Sequence, residues 1–425
     1  MKEAKQLKPV QIHKGHIKAE STAKHYGFNH FGNLTVTRQD LIKAKNFKDS
    51  KKNSFNDKDS ILSFDNLLEE KIALVRAYLE KQMNDMSQPP MVYFSGPLEG
   101  NPHSGGKDSS KKSAAHPKTF NLDILGNAKS IADAIVIETA YIILKEHLDD
   151  KDAELLIEIN SIGDKDSFAK FNKEFAGFCK KRLSELPVEW RNAFKKDPLS
   201  IFKCTDEACS ILLDEAPKPM SYLSESSRDH FREVLEYIES LNLPYTINHS
   251  LIGSKHYSSG TIFQIVKVTS ETLKTGKKVE KREVLAIGER YNTVSKKAWG
   301  KKEIAAVGAT MLVNEKALKN MKMPVKPAKE EAARFYFIQL GYDAKLKSLT
   351  IIEMLRIANI AVHQSLSRDK ITSQLAAAEK MGVPYILILG QKEAIEGSVT
   401  IRHMHTRVQE TVLVHELVEY LKKLK

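Results

Sequence analysis

The stretch "YTINHSLIGSKHYSSGTIFQI" (residues 245–265) decides how the middle of the chain folds. Its right end, Thr261 to Ile265, has the pattern of a half-buried strand. Its left end, residues 253–260, reads Gly, Ser, Lys, His, Tyr, Ser, Ser and Gly. Small and polar residues of this kind occur within a strand where something must approach the backbone closely. The stretch therefore predicts a strand that borders a binding site, and a surface hairpin with polar decoration is the alternative.

The rest of the middle region alternates between helical and strand patterns. Strands are predicted at 91–96, 153–163, 245–252, 260–270, 281–288 and 305–313, and helices at 65–83, 130–148, 166–186 and 226–242. The segment "LKTGKK" (273–278) predicts a hairpin turn between two of these strands. Together they predict an α+β core at 61–322, an antiparallel sheet flanked by helices, with a flexible Gly/Ser/Lys insert at 101–117.

The last part of the chain has a different pattern. A Pro- and Lys-rich linker at 323–332 precedes predicted strands at 335–339, 360–363, 385–389 and 398–403 and helices at 343–358, 369–381 and 409–423. The run "YILIL" (385–389) between turn residues is typical of a buried parallel strand. We therefore predict a separate α/β domain at 333–425, and a basic, partly flexible N-terminal region at 1–60.

The chain is basic, and its charge is unevenly distributed. The 425 residues carry a formal net charge of +12. Residues 1–60 contribute +7 (13 Lys/Arg against 6 Asp/Glu) and residues 274–329 contribute +10 (15 against 5), so the remainder carries −5. Because the charges of 274–329 interrupt a strand pattern, we interpret them as a binding face for a polyanion such as nucleic acid. Those of 41–60 indicate solvated surface.

Cysteine content and hydropathy indicate the cell compartment. Cys179, Cys204 and Cys209 have neither the spacing of a zinc clamp nor that of a redox motif, which predicts buried, reduced thiols. The first residues lack the apolar core of a signal peptide, and no window approaches the roughly 18 apolar residues of a membrane span. We therefore expect a cytoplasmic protein.

Several sequence words occur in the order found in one enzyme family. They are "IEINSIGD" (157–164), "YTINHSLIGSKHYSSGTIFQI" (245–265), "GERYN" (288–292), "AAVGATMLV" (305–313) and "ILILGQKEAIEGSVTIRHMHTRVQETV" (386–412). With these words the chain resembles histidyl-tRNA synthetases, which are class II aminoacyl-tRNA synthetases. The resemblance implies a class II synthetase-like core, a C-terminal anticodon-binding-like α/β domain and a homodimer.

The arginines on which that family relies are absent at the matching positions. Gly100 stands where the second class II motif has an arginine, Gly253 where the histidine signature has one, and Glu315 where the third class II motif has one. Arginine suits adenylation because its planar fork stays charged and binds phosphate bidentately. Losing one transition-state donor costs about 3–4 kcal/mol. We therefore expect no catalytic residues and no cofactor, with ATP and Mg²⁺ needed only if the protein is an active enzyme.

The resemblance also identifies a relic amino-acid pocket. Glu69 and Asp123 match positions that hold the amino group of histidine in the family, while Leu67 and Lys71 stand where the family has arginine and threonine. The expected pocket comprises Glu69, Asp123, Lys255, Tyr257, Thr261, Arg290 and Tyr291. Strand alternation would put Lys255 and Tyr257 on one face. A site for a cation or small amine is one interpretation, and solvated or paired carboxylates in an emptied pocket are the other.

Basic residues provide the candidates for RNA contact. They are Lys274, Lys277, Lys278, Lys281, Arg282, Lys296, Lys297, Lys301, Lys302, Arg402 and Arg407. His403 and His405 have a spacing that also suggests a metal, but the sequence shows no third ligand, so no metal site is predicted.

Three functional hypotheses follow. The first is a non-catalytic histidyl-tRNA-synthetase-like protein that binds tRNA or another RNA or regulates a partner enzyme, and the retained anticodon-binding-like domain favours RNA. The second is a functional histidine–tRNA ligase with a diverged site, which histidine-dependent ATP–pyrophosphate exchange would establish. The third is a homodimeric interaction scaffold without RNA, which an absence of tRNA retention would favour.

Overall fold

The computed structural model describes residues 14–47, 62–83, 86, 88–97, 118–148, 153–272, 278–312, 334–365 and 368–424. The predicted insert at 101–117, the linker at 323–332 and the turn residues 273–277 lie outside this part of the chain. No helix within the described residues is long and apolar enough to cross a membrane.

The core is built around one sheet. Its strands are β1 (Asn29–His30), β2 (Met91–Pro97), β3 (Lys118–Leu125), β4 (Glu154–Ser161), β5 (Tyr245–Ile247), β6 (Ser259–Thr272), β7 (Lys278–Arg290) and β8 (Ala306–Leu312). In the described residues they lie in the order β1-β2-β3-β8-β7-β6-β4-β5. Neighbours are antiparallel except at the two edges, where β1 pairs parallel with β2 and β4 with β5. The predicted α+β core is confirmed, and β6 and β7 pair as predicted.

Nine described helices belong to the core: α1 (Lys14–His25), α2 (Arg38–Phe47), α3 (Leu68–Glu80), α4 (Ser130–His147), α5 (Lys165–Lys181), α6 (Val188–Lys196), α7 (Glu207–Glu215), α8 (Glu225–Ser240) and α9 (Val294–Trp299). Five of them, α1, α2, α6, α7 and α9, were not predicted, and neither were strands β1 and β3. Residues 14–47 of the predicted N-terminal region are therefore largely helical.

One face of the sheet is apolar and is covered by helices. In β3, Phe120, Leu122 and Ile124 point to this face and join the main hydrophobic core. Helix α4 lies between the sheet and helices α1 and α8, and every residue from Ser130 to Leu144 is buried. Removal of this apolar surface from water is the main force that holds the helical layer on the sheet.

The opposite face of the sheet carries polar side chains that are just as deeply buried. Because side chains alternate along a strand, β3 directs Thr119, Asn121 and Asp123 to this face, each with 0% exposure. The strand register sets Asp123 beside Gly308 of β8, and Gly308 beside Glu289 of β7. A row of buried polar residues thus crosses the middle of the sheet, and it is the candidate functional site.

The last domain is a second, smaller sheet with helices. It comprises β9 (Phe335–Gln339), α10 (Tyr342–Ile357), β10 (Val362–Gln364), α11 (Ile371–Met381), β11 (Tyr385–Leu389), α12 (Gln391–Glu396), β12 (Ser398–His403), β13 (Gln409–Leu413) and α13 (Leu417–Lys423). The strand order is β10-β9-β11-β12-β13, with β9, β10 and β11 parallel. The predicted helix at 409–423 is wrong in its first half, because Gln409–Leu413 pairs antiparallel with β12.

The turn after α1 joins the core to the last domain. The hydroxyl of Tyr26 donates to Glu353 of α10 at 2.6 Å, and its oxygen also lies 3.1 Å from Oε1 of Glu138 in α4. Close by, Arg356 of α10 donates to Glu146 of α4 at 2.8 Å. The two domains are therefore connected through buried and half-buried polar contacts as well as by the chain itself.

Two of the three cysteines are paired. Cys204 and Cys209 form a disulfide with their Cα atoms 6.0 Å apart, while Cys179 is a free buried thiol. The expectation of three reduced thiols is wrong for this pair. Cys204 ends the 3-10 helix Pro198–Lys203 and Cys209 lies in the first turn of α7, so the change of direction between these helices brings the side chains together.

Candidate functional site

Asp123 lies in the middle of the buried polar row, and a lysine from α3 contacts it. Lys71 is in the first turn of α3, which begins directly after a 3-10 turn at Phe64–Asn66. Its side chain is 1% exposed, and its Nζ lies 2.7 Å from Oδ1 of Asp123. The hydroxyl of Tyr291 donates to the same oxygen at 2.8 Å. The chain thus supplies its own ammonium group to a carboxylate that the sequence assigned to an amino-acid pocket.

The charge state of Lys71 follows from its neighbours. Burial is the largest single influence on the pKa of the Lys71 ammonium, and it lowers that pKa. The negative charges of Asp123, Glu70 and Glu289 raise it, and because their combined effect exceeds that of burial, the net shift is upward. Burial acts in the opposite sense on the carboxyl and raises the pKa of Asp123. We assign a charged pair, because an ammonium and a hydroxyl converge on a single oxygen of Asp123 at hydrogen-bond distance.

The backbone next to Asp123 is built for close approach. A Cβ atom added to Gly308 would lie 1.9 Å from Oδ1 of Asp123 and 2.9 Å from the carbonyl oxygen of Leu122. Only glycine fits there without moving the carboxylate. Glycine at position 308 thus lets Asp123 lie flat against β8, with Lys71 above it.

A second buried carboxylate, Glu289, lies in the same row. It is 1% exposed and accepts a hydrogen bond from the hydroxyl of Ser258. Its other oxygen, Oε1, has no hydrogen-bond partner among the described residues. Burial raises the pKa of Glu289 to about 7, although hydrogen bonds from Ser258 and Tyr257 and the charge of Lys71 act against the shift. Glu289 is therefore a carboxyl group that takes up a proton near neutral pH.

Replacement of Glu289 by glutamine is expected to change how stability depends on pH. The pKa of Glu289 is about 7 in the folded protein, above its usual value of 4.5, which applies to the unfolded chain. The proton on Glu289 therefore stabilises the fold, and this stability is fully present below the unfolded pKa. It is lost as pH rises through the folded pKa, by up to about 3 kcal/mol. Urea unfolding should therefore find Glu289→Gln close to wild type at about pH 5 and more stable at about pH 8. Equal pH dependence of the two proteins would contradict the assignment.

The loop at 251–258 differs from the predicted strand. Strand β6 begins only at Ser259, and residues 255–257 form a turn. Lys255 consequently points outward, with its Nζ 2.7 Å from Oδ2 of Asp197, whereas Tyr257 is buried. The prediction that Lys255 lines the pocket on the same face as Tyr257 is wrong, because strand alternation does not apply to a turn.

Gly253 has a backbone conformation that excludes ordinary side chains. Its φ is +69°, and a Cβ atom there would lie 2.7 Å from Oγ of Ser258 and 2.8 Å from Cδ1 of Ile262. An arginine at this position would require both the loop and its neighbours to move. Of the three positions where the family has arginine, this is the one that the structure describes; Gly100 and Glu315 lie outside the described residues.

Arg290 and Thr261 face away from the pocket, which corrects their assignment to it. Neighbouring residues of a strand point to opposite faces, so Arg290 lies on the helical side of the sheet while Glu289 and Tyr291 lie on the polar side. Arg290 is 3% exposed, and its Nε donates to both oxygens of Asp133 in α4 at 2.9 and 3.0 Å. Thr261 has the same strand parity as Phe263, whose ring belongs to the core under the helices.

The remaining predicted pocket residues do come together. Asp123 and Tyr291 share a hydrogen bond. Tyr257 donates to the carbonyl oxygen of Phe64 and lies close enough to Glu289 and Glu69 for their charges, after burial itself, to raise the pKa of its hydroxyl. Glu69 is half-buried on α3, two residues before Lys71. Four of the seven predicted residues thus form one buried cluster with Lys71 and Glu289.

The basic stretch 274–329, which the sequence predicted to be one binding face, has its described lysines and arginines in two separate places. The described residues of its first part, 278–282, lie at the start of β7, and its second part lies in and after α9. Strand β7 has 13 residues between them, so the two ends are roughly 40 Å apart. Lys274 and Lys277 and the side chain of Lys278 lie outside the described residues. Lys281 is exposed, but Arg282 donates to the buried Glu158 at 2.7 Å, so Arg282 is a poor candidate for RNA contact.

The second part of the stretch is more accessible. Lys296, Lys297, Lys301 and Lys302 are exposed, and Lys297 donates to the carbonyl oxygen of His256 at 2.5 Å. Burial lowers the pKa of Lys297. This end of β7 is next to the loop that covers the buried cluster.

The candidates of the last domain lie around the turn between β12 and β13. Arg407 is exposed in that turn with a φ of +59°, and Arg402 is half-buried on β12. The ring of His403 contacts Tyr385 edge-on at 5.0 Å, and its Nδ1 accepts the backbone N–H of Thr406 at 3.1 Å. Among the described residues no group of three His, Cys, Asp or Glu side chains is arranged to hold a metal ion.

Sequence reasoning missed the two residues that most determine this site. Lys71 was noted only as a replacement for threonine, although a lysine beside a pocket carboxylate is itself a signal that the pocket is internally neutralised. Glu289 directly precedes Arg290 in "GERYN", and its carboxylate was missed because the resemblance assigns roles only to Arg290 and Tyr291 of this word.

Comparisons with known proteins find similarity to histidine–tRNA ligases and to an anticodon-binding domain. A model described as "Anticodon binding domain" matches residues 336–424. A histidine–tRNA ligase from Halothermothrix orenii is 26% identical over 355 residues, which cover 83% of this chain and 80% of the relative. One from Halalkalibacterium halodurans is 27% identical over 354 residues, covering 83% and 78%. The structure of apo histidyl-tRNA synthetase from S. aureus has a TM-score of 0.48 and 19% identity, covering 97% of this chain and 99% of that one.

Proposed function

The chain is histidyl-tRNA-synthetase-like, with a class II synthetase fold followed by an anticodon-binding domain, and on this premise we propose that it binds tRNA or another RNA without catalysing aminoacylation. One observation carries the non-catalytic part of this proposal. Lys71 donates to Asp123, the carboxylate that by resemblance would receive the amino group of histidine, at 2.7 Å.

Occupation by Lys71 would prevent a substrate amine from binding. Oδ1 of Asp123 already receives the ammonium and the hydroxyl of Tyr291, and both side chains are buried. A free amine that took the place of Lys71 on Oδ1 would leave the Lys71 ammonium without a counter-ion inside the protein, which is unfavourable by several kcal/mol. Oδ2 of Asp123 is buried without a hydrogen-bond partner among the described residues, so Lys71 competes with a substrate amine for Oδ1.

The missing arginines support the same conclusion. Adenylation needs fixed positive groups around the phosphates of ATP. Gly100, Gly253 and Glu315 provide none, and the backbone of Gly253 would not accept an arginine without rebuilding the loop. The RNA part of the proposal is supported by the anticodon-binding domain at 336–424 and by the formal net charge of +12.

Histidine-dependent ATP–pyrophosphate exchange tests the non-catalytic role. The purified full-length chain should show no exchange above a histidine-free control, while the Halothermothrix orenii relative, assayed in parallel, provides the positive control. Exchange at a rate comparable to that of the relative would overturn the proposal and establish the alternative, a working histidine–tRNA ligase, as the names of the relatives would suggest.

A homodimer and the regulation of a partner enzyme are further expectations drawn from the resemblance, while the cytoplasmic location is an expectation drawn from cysteine content and hydropathy. We propose the homodimer as the working state of the RNA-binding protein. Small-angle scattering at micromolar concentration should give the mass of two chains, and a monomer mass would contradict it.

A further inference from the structure

We propose that the surface formed by α2, α9 and the turn at 300–302, hereafter the α2–α9 surface, holds the phosphate backbone of RNA without reading its sequence. This inference rests on the proposed RNA-binding function and assigns a place for it outside the anticodon-binding domain.

The two helices are joined by reciprocal cation–π contacts. Lys43 of α2 lies over the ring of Trp299 in α9, with Nζ 4.6 Å from the ring centroid. Lys297 of α9 lies over the ring of Phe47 in α2 at 5.9 Å. Such contacts hold a lysine in place while its charge is kept. Each helix thus contributes one ammonium group that lies over an aromatic ring of the other helix.

The charge of this surface is not compensated within the described part of the chain. No described carboxylate lies within salt-bridge distance of Lys43, Lys45, Lys297, Lys301 or Lys302, and Lys296 has only Glu303 at 3.9 Å. The acid on α2, Asp40, is buried and bound to Arg76. The hairpin end of β7 differs, because there Arg282 is paired with Glu158 and Glu280. Unpaired, closely spaced lysines attract polyanions.

The surface lies beside the loop that covers the buried cluster. Lys297 donates to the carbonyl oxygen of His256, next to Tyr257, and α9 begins three residues after Tyr291. Lys165 at the start of α5 is close enough to Lys297 to affect its pKa, so positive charge continues across the loop. An RNA strand on the α2–α9 surface would therefore run past the closed pocket and would not enter it.

The contacts suit phosphates better than bases. Lys43 covers the Trp299 ring, so that ring does not offer a free stacking platform, and lysine meets phosphate as a point charge without sequence selection. RNA is favoured over an anionic membrane because the same chain carries an anticodon-binding domain. Exposed Leu41 and Ile42 on α2 make a membrane surface the outcome that the test must separate.

The test compares two variants of the full-length chain with the same change of charge. The first replaces four exposed lysines of the surface by glutamine, at positions 45, 296, 301 and 302, and leaves Lys43 and Lys297 in place. The control replaces four exposed lysines of α5, at positions 170, 173, 180 and 181. Fluorescence anisotropy with a labelled RNA hairpin is measured across about 0.05 to 0.25 M potassium chloride, and sedimentation with phosphatidylserine vesicles is measured in parallel. Thermal unfolding checks that both variants are folded.

The expected result is a loss confined to the surface variant. The slope of log affinity against log salt concentration should decrease in magnitude by about 3 for the surface variant, and its affinity should fall at least about tenfold. The slope and affinity of the control variant should stay near those of wild type. Equal losses in both variants, or no loss in the surface variant, would overturn the α2–α9 assignment and leave RNA binding intact. No RNA binding by wild type would instead overturn the proposed function. Vesicle binding that is lost in the surface variant without RNA binding would replace RNA by lipid.

Discussion

Replacement of Lys71 by methionine is expected to reduce the free energy of unfolding by about 3–5 kcal/mol. Methionine has a similar length, so little packing is lost, but Asp123 remains buried without its counter-ion. Urea unfolding followed by circular dichroism measures the change. The deficit should be larger at about pH 8 than at about pH 5, because an unpaired buried carboxyl takes up a proton as pH falls.

A second substitution and a small amine provide the controls for Lys71. The double variant Lys71→Met with Asp123→Asn removes the uncompensated charge and keeps an acceptor for Tyr291, so it should recover most of the lost stability. Ethylammonium should partly restore the melting temperature of Lys71→Ala, because a cation that binds only the folded state stabilises it. A Lys71→Met protein within about 1 kcal/mol of wild type would contradict the assigned ion pair.

Replacement of Arg290 by methionine is the other change with a large expected effect, again about 3–5 kcal/mol. Arg290 donates to both oxygens of Asp133, and it also donates to the carbonyl oxygens of Asn127 at 3.2 Å and Lys129 at 2.9 Å. Burial alone would raise the pKa of Asp133, but Arg290 and then His230 hold it far below its usual value. The variant would leave that carboxylate with the partly exposed His230 as its remaining side-chain donor, and it would take one donor from each of the two carbonyl groups on the helical side of the sheet.

Lysine at position 290 and asparagine at position 230 are the matched controls. Arg290→Lys keeps the charge but loses the planar fork, so it should recover less than half of the stability. His230→Asn removes one partly exposed donor to Asp133, and it should cost about 1 kcal/mol or less. In wild type, the contribution of Asp133 is present above its unfolded pKa and is lost as pH falls through the folded one. An Arg290→Met protein as stable as wild type would exclude the bidentate contact.

The sequence predicted the core where pattern and resemblance agreed. Strand β3 was missed because it directly follows the Gly/Ser/Lys segment, whose composition predicts a flexible region. Its own sequence, "KTFNLDIL", does alternate Thr119, Asn121 and Asp123 with apolar residues. Helices α1 and α2 are only weakly amphipathic and carry many charges, so periodicity did not reveal them. At the C-terminal end, strand and helix follow each other within fifteen residues, which pattern analysis merged into one helix.

The site was predictable in its residues but not in its connections. Asp123, Tyr257 and Tyr291 were expected in one pocket and are found together. Lys255 was assigned by strand alternation, which fails in the turn at 255–257. That Lys71 reaches Asp123 depends on how α3 lies over the sheet, and 52 residues separate the two in the chain. Tertiary geometry of this kind cannot be obtained from one sequence.

Binding of free histidine is the most direct test of the central claim that the chain's own lysine occupies the amine site. Isothermal titration calorimetry of L-histidine into the wild-type protein should show no saturable heat at millimolar ligand, while the Halothermothrix orenii relative, titrated in the same buffer, serves as the positive control. Saturable binding to wild type with an affinity comparable to that of the relative would mean that Lys71 leaves Asp123 free, and it would contradict the account.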